Sequence, residues 1–224
     1  QDLMRARHRL SKLLLRHEVR FDGRAWTERH RAWLSKVELP EAPAQATLLD
    51  YRGAVEALIH RKGELERQIT AQIPDSPWAR EVGRLRCLRG VDTLTAIGLC
   101  SEIGDFCRFA KAGQLMSYLG LVPSEHSSGE SRRLGSITRS GSRHARRLLV
   151  EAAWHYRRQP RVGPEIERRQ ESQPAEAVAI AWSAQRRLYR VWSRMQRRNK
   201  RRTLIAVAVA RELAGFCWAI ARIE

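Results

Sequence analysis

The stretch that most limits what this chain can fold into is Leu204 to Ala221, an apolar run interrupted by charge only at Arg211 and Glu212. It has the length of a membrane span, yet two charges at its centre would be costly in hydrocarbon. The run therefore predicts a core helix, and no membrane association, with the remaining segments each burying one stripe of side chains in the domain. Those segments read as helices too. Leu3, Leu10, Leu13 and Leu14 recur at helical spacing among arginines and predict an amphipathic basic helix over 3–20, ended by Phe21-Asp22-Gly23. A shorter helix over 26–37 has Trp26, Trp33 and Leu34 on its apolar side, after which Pro40 and Pro43 are expected to break the chain.

Beyond those prolines, Leu48, Tyr51, Val55, Leu58, Leu65 and Ile69 follow steps of three and four, with Lys62 at one seam position. Such a narrow stripe is how helices pair, either as a coiled coil between copies of the chain or as a helical hairpin within one copy. Pro74 and Pro77 close this arm and place a boundary near Ser76, giving a helical arm over 1–76 and a second helical domain over 77–224. Trp78–Leu88 opens that domain, in which helices are expected over 93–99, 111–119 (Leu115, Met116 and Leu119 inward) and 143–156. A mobile charged stretch over 160–174 precedes helices over 175–198, with Trp182, Leu188, Tyr189 and Trp192 inward, and 204–223. No strand is expected outside 120–147, so the fold class is mainly α.

Leu88-Arg89-Gly90-Val91-Asp92, leading into Thr93–Leu99, resembles a helix-hairpin-helix, in which a glycine turn aims backbone amides at a phosphate. Asp92 stands where a second glycine is usual, and its carboxylate would repel phosphate. A purely structural turn accounts for the same residues.

Gly120–Arg147 is poor in bulky apolar residues and long for a connection inside a domain. Its regular arginines and the pair Leu134 and Ile137 argue for an ordered loop that handles phosphate. Ser127 and Ser128 sit beside Gly129, which permits close approach of a ligand. Arg132, Arg133, Arg139 and Arg143, with Arg146 and Arg147 behind them, offer paired guanidinium donors to phosphate oxygens. Ser140-Gly141-Ser142 opens a helix, where a serine cap leaves free amides as an anion site. A solvated turn followed by a capped basic helix is the plainer account of these residue types, since a serine without an adjacent base is a weak catalytic signal.

Charge favours the phosphate account. The 224 residues hold 42 Lys and Arg against 24 Asp and Glu, a formal charge of +18, which calls for a polyanion: nucleic acid first, an anionic membrane surface second. Between Arg132 and Arg202 stand 20 basic and 5 acidic residues, so 20 − 5 = +15 of that charge lies in a third of the chain. Cys87, Cys100, Cys107 and Cys217 lack metal-site spacing and sit among apolar residues, which predicts buried free thiols in a reducing cytoplasm and no zinc. Residues 1–20 are charged throughout, unlike a signal peptide, and the first residue is Gln, as in a fragment of a longer protein.

Three stretches taken together resemble one family: LRGVDTLTAIGLCSEIGDFCRF, then GQLMSYLGLVPSEHSSGESRRLGSITRSGSRHARRLLVEAAW, then RELAGFCWAI. They are similar to the C-terminal part of bacterial insertion-sequence transposases that carry a DEDD metal domain, relatives of the Piv invertase, some of which use a guide (bridge) RNA. RARHRLSKLLLRH and AWTERHRAWL resemble the family's middle region. The resemblance implies DNA transposition, with a serine of the loop attacking a DNA phosphodiester. That serine falls on Ser128, with Ser127 as the adjacent alternative. It implies magnesium on an RNase H-like domain outside this chain, no cofactor or metal in the chain itself, DNA as partner and, as in some members, a guide (bridge) RNA, while the heptads of the arm predict a homo-oligomer. Asp92, Glu102 and Asp105 are then local turn and helix-end residues. A non-catalytic helical DNA- or RNA-binding protein, or an oligomerisation module, are the other classes.

Overall fold

The computed structural model describes residues 1–125 and 134–223, with Leu134 described in its backbone alone. The chain forms two compact units, Gln1–Gln68 and Ile69–Glu224. The division falls inside a helix, eight residues before the expected boundary at Ser76.

In the first unit, α1 (Asp2–Arg16) buries Ala6, Leu10 and Leu14, one residue per turn. Helix α2 (Glu28–Leu34) starts at Thr27, whose hydroxyl accepts from His30 N at 3.2 Å. Both pack on the first half of α3 (Ala42–Gln72), burying Leu48 and Val55 with Tyr51, Leu58 and Ile59 at the margin. Pro43 does not break the chain, because in the first turn of α3 its missing N–H has no helical partner to lose. The seam divides. Leu48 and Val55 are consumed within the chain, as in a hairpin, whereas Leu65 and Ile69 are 48% and 42% exposed.

The second unit is built around the apolar run, which is α10 (Arg202–Ala221). It packs against α4 (Ala79–Leu85), α6 (Ala112–Tyr118), α7 (Arg143–Ala153) and α9 (Ala175–Arg197). Among the described residues it is the one helix long and apolar enough to cross a membrane, but half of that run is buried inside the unit. Arg211 is exposed and Glu212 pairs with Arg187 at 2.6 Å, so both central charges face away from the core. Helix α5 (Thr93–Ile103) packs on α4 and α7, and a 3-10 turn, Trp154–Arg157, continues α7. The mainly α class holds. The strands described, β1 (Pro123–Glu125) and β2 (Leu134–Ile137), form one antiparallel hairpin inside the expected loop.

Several expectations change in three dimensions. The stretch over 160–174 contains α8 (Pro164–Gln170) and is tied down: Arg89 donates to the carbonyls of Arg158, Gln159 and Arg161 at 3.2, 2.9 and 2.8 Å, and Arg169 to Val91 O at 2.7 Å. Trp182 is 38% exposed, because the inward stripe of α9 runs through Ala177, Ala181, Ala184, Leu188 and Trp192, one step off it. All four cysteines are free thiols, but Cys107 is exposed on the turn after α5. Burial pushes the Cys87 thiol up to about 11 and Cys100 up to about 12, so these two behave as apolar side chains.

Candidate nucleic-acid interface

The hairpin is held at its base by two interlocking glycines. Gly120 (φ +64°) ends α6, and a side chain there would collide with the backbone N and O of Ser140. Gly141 (φ +65°) faces the other way, and its side chain would collide with Tyr118 O. Only glycine combines the left-handed backbone with so close an approach. The stem is then stitched by Thr138 N donating to Val122 O at 2.9 Å, Arg139 N to Gly120 O at 3.1 Å and Ser124 Oγ to Ser136 O at 3.1 Å. Pro123 pairs with Ile137 and Glu125 with Leu134, so β2 carries one extra residue, a bulge that bends the strand. Ile137 anchors the stem on the core.

Arg146, from the first turn of α7, closes the base. Its Nη1 donates to Leu119 O at 3.0 Å and Gly141 O at 3.2 Å, and also to Ser140 O. Burial, and then Arg139 and Arg143 nearby, pull its pKa below that of free arginine. Of the six expected phosphate contacts, this one is therefore spent in part on positioning the stem.

Four of the six meet in space. Arg139, Arg143, Arg146 and Arg147 rim a groove of about 420 Å³ whose floor is Leu121, Ile137 and Val150. Arg139 reaches it from a left-handed backbone (φ +60°), and Arg147 also lies 3.6 Å from Glu151. Among the described residues no carboxylate lines the groove. Ser127, Ser128, Arg132 and Arg133 lie outside the described residues, on the segment that joins β1 to β2.

Ser142 caps α7 as its sequence suggests, accepting from Ala145 N at 3.0 Å. The start of α7 is not left open to an anion, however. Glu102 reaches it from α5 and lies 3.2 Å from His144 Nδ1. Hydrogen bonds from Ser142 and then His144 hold its carboxyl below the usual range. Glu102 lies in the last turn of α5, a helix-end residue as expected, but it also braces the start of α7, and nothing in the sequence joins positions so far apart. Asp92 and Asp105 are local, as expected: Asp92 accepts from Thr95 N at 2.8 Å and Asp105 from Cys107 N at 2.7 Å.

The helix-hairpin-helix-like turn serves packing. A β-carbon on Gly90 (φ +80°) would stand 2.7 Å from Ala152 O, so this glycine seats the turn against the end of α7. The sequence reading missed what surrounds it, a hollow of about 600 Å³ where Arg158 and Arg161 stand beside His155, Asp92 and Glu165. Burial first, then Arg158, Arg89 and Arg157, lower the His155 pKa and favour its neutral form. Among the described residues no three His, Cys, Asp or Glu side chains gather into a group that could hold a metal ion.

The domain is thus helical and strongly basic, with a glycine-locked hairpin beside a groove that groups four guanidinium donors. Residues 82–166, from α4 through α7 into α8, match the model of the transposase IS116/IS110/IS902 family. It is 39% identical over 217 residues to the putative transposase y4qE of Sinorhizobium fredii, covering 96% of this chain and 52% of that protein. It is 30% identical over 204 residues to the transposase for insertion sequence element IS1533 of Leptospira borgpetersenii, covering 89% of this chain and 59% of that protein. The transposase for IS1111A of Coxiella burnetii is 37% identical over 70 residues, 31% of this chain and 19% of its own length. The chain thus spans little more than half the length of the relatives it matches most fully.

Proposed function

We propose that this chain is the part of an insertion-sequence transposase that presents the serine nucleophile and much of the nucleic-acid surface for DNA transposition. The observation that supports this reading most is the hairpin. Its base is locked by Gly120, Gly141 and Arg146, and beside it lies a groove rimmed by four arginines. Such a stem can present Ser127 and Ser128 to a phosphodiester whose charge the arginines hold. Ser128 Oγ then bonds to phosphorus as one P–O ester bond of the DNA breaks, the serine losing its proton and the departing oxygen gaining one. Magnesium belongs, on this reading, to a DEDD domain of the full-length enzyme, where it would offset charge on the phosphoryl oxygens. This chain's residues bind, orient and supply the nucleophile. DNA, a guide RNA and a second copy of the chain through α3 are the partners the reading implies.

The test is to join the chain to a DEDD domain in the full-length enzyme, trap it on nicked DNA with magnesium, and map the adduct by mass spectrometry. The expected adduct is on Ser128, with Ser128→Ala abolishing it while leaving DNA binding nearly intact, since one hydroxyl contributes little to an arginine surface. An adduct on Ser127 moves the nucleophile by one residue. Full recombination by the Ser127→Ala, Ser128→Ala double variant removes the serine mechanism.

A further inference from the structure

Outside the hairpin groove, one face of α9 is strongly basic. Arg187, Arg190, Arg194 and Arg197 follow steps of three, four and three, which brings them to a single side of the helix. They line a hollow of about 630 Å³ with Tyr189 and Ser193, and among the described residues no carboxylate lines it. Every polar group there is of a type that donates to phosphate oxygens. No acidic residue stands between Glu176 and Glu212, while Arg198, Lys200, Arg201 and Arg202 extend the charge through the turn into α10. Of the four arginines, Arg187 alone has an acidic partner among the described residues, Glu212.

Beyond the Arg187–Glu212 pair, no hydrogen bond or ion pair among the described residues ties these four arginines to another element. The helix is held by its other side, where Ala181, Ala184, Leu188 and Trp192 are buried, and like charges one turn apart repel. The arrangement therefore fits a polyanion. A lipid surface suits it poorly, because a membrane-lying helix needs an apolar face to insert, and that of α9 is inside the core. A single strand suits it less than a duplex, because sequence-tolerant single-strand binding uses several stacking rings, and only Tyr189 is present in the hollow. The four arginines follow one another about 5 Å apart along the helix axis, close enough together to engage several phosphates of one backbone.

We propose that α9 is a second seat for the phosphate backbone of duplex nucleic acid, separate from the hairpin groove and indifferent to sequence. The proposal rests on the reading of the chain as a nucleic-acid-binding part of a transposase, and it adds the surface that takes a further length of duplex. It is tested on the whole chain with a random-sequence DNA duplex titrated over a range of salt, comparing R190Q/R194Q/R197Q, the groove variant R139Q/R143Q and their combination. Losing three phosphate contacts should make the log–log salt slope of the α9 variant shallower by about 2.7. The groove variant should lose its share independently, the two adding in the combination. The α9 variant should melt at the parent temperature or above it, and R190K/R194K/R197K should keep the parent slope.

If the α9 variant keeps the parent slope while the groove variant loses part of it, the second seat is refuted and the transposase reading stands. If neither slope moves, the nucleic-acid reading itself fails. Loss of binding to phosphatidylserine vesicles with no loss on the duplex would assign α9 to a membrane and overturn the proposal.

Discussion

Gly120 and Gly141 show how little side chain the hairpin base can tolerate. Each combines a positive φ with a neighbouring backbone that occupies the place of a β-carbon. Gly141→Ala should cost about 3 kcal/mol, from left-handed strain plus displacement of Tyr118. Urea titration measures this, and a loss no larger than that of Gly113→Ala, where nothing crowds the β-carbon, would show that the base is not locked. His30 gives a pH signature. Its ring lies 4.9 Å from Phe21 and 5.1 Å from Trp26, and burial lowers its pKa below 6.5. Because the folded value is the lower one, the unfolded chain takes the proton first as pH falls. The contribution to stability is whole above pH 6.5 and is lost as pH drops below that value toward the folded pKa. Thermal melts should show Tm falling on the acid side, and His30→Gln should remove part of the fall. An identical fall in the variant would place the effect elsewhere, His155 being the next candidate.

At the scale of elements, the heptad stripe of α3 was legible but its partner was not. Leu48 and Val55 meet α1 and α2, while Leu65 and Ile69 remain exposed on the second half of the helix. We predict that the arm self-associates through that second half. Leu65→Asp with Ile69→Asp should dissociate it without unfolding the first unit, whereas Leu58→Asp would also disturb the unit's own cluster. Sedimentation that finds the parent chain monomeric would leave α3 as an intramolecular helix alone. Helix α9 carries the opposite lesson: Trp182 looks like core by residue type, but an alanine stripe one step away sets the buried face. Size does not choose a helix face. The partner helix does.

For the molecule as a whole, charge is the property that reaches furthest. With +18 on 224 residues, and most of it between Arg132 and Arg202, binding to duplex DNA should weaken steeply with salt, by a log–log slope of about −0.9 per phosphate neutralised on B-DNA. Affinity that stays level from low to moderate salt would contradict a phosphate-dominated interface. Both units contribute arginines, but the described groove and the α9 face lie in the second unit, whose central helix is the apolar α10.

By itself, the sequence determined the helical class, the burial of α10, the serine cap of α7 and the grouping of arginines around the hairpin. Each of these follows from local periodicity or from residue chemistry within a few positions. Tertiary structure alone decided what depended on contacts between distant positions. The clamp of Arg89 on residues 158–161 turned an expected mobile stretch into an anchored helix. Glu102 was brought to the start of α7, and the lone glycines 120 and 141 were set against each other's strands. A hydrogen bond or a close backbone approach between residues tens of positions apart leaves no period to read, because its cause is the packing of the helices that carry them.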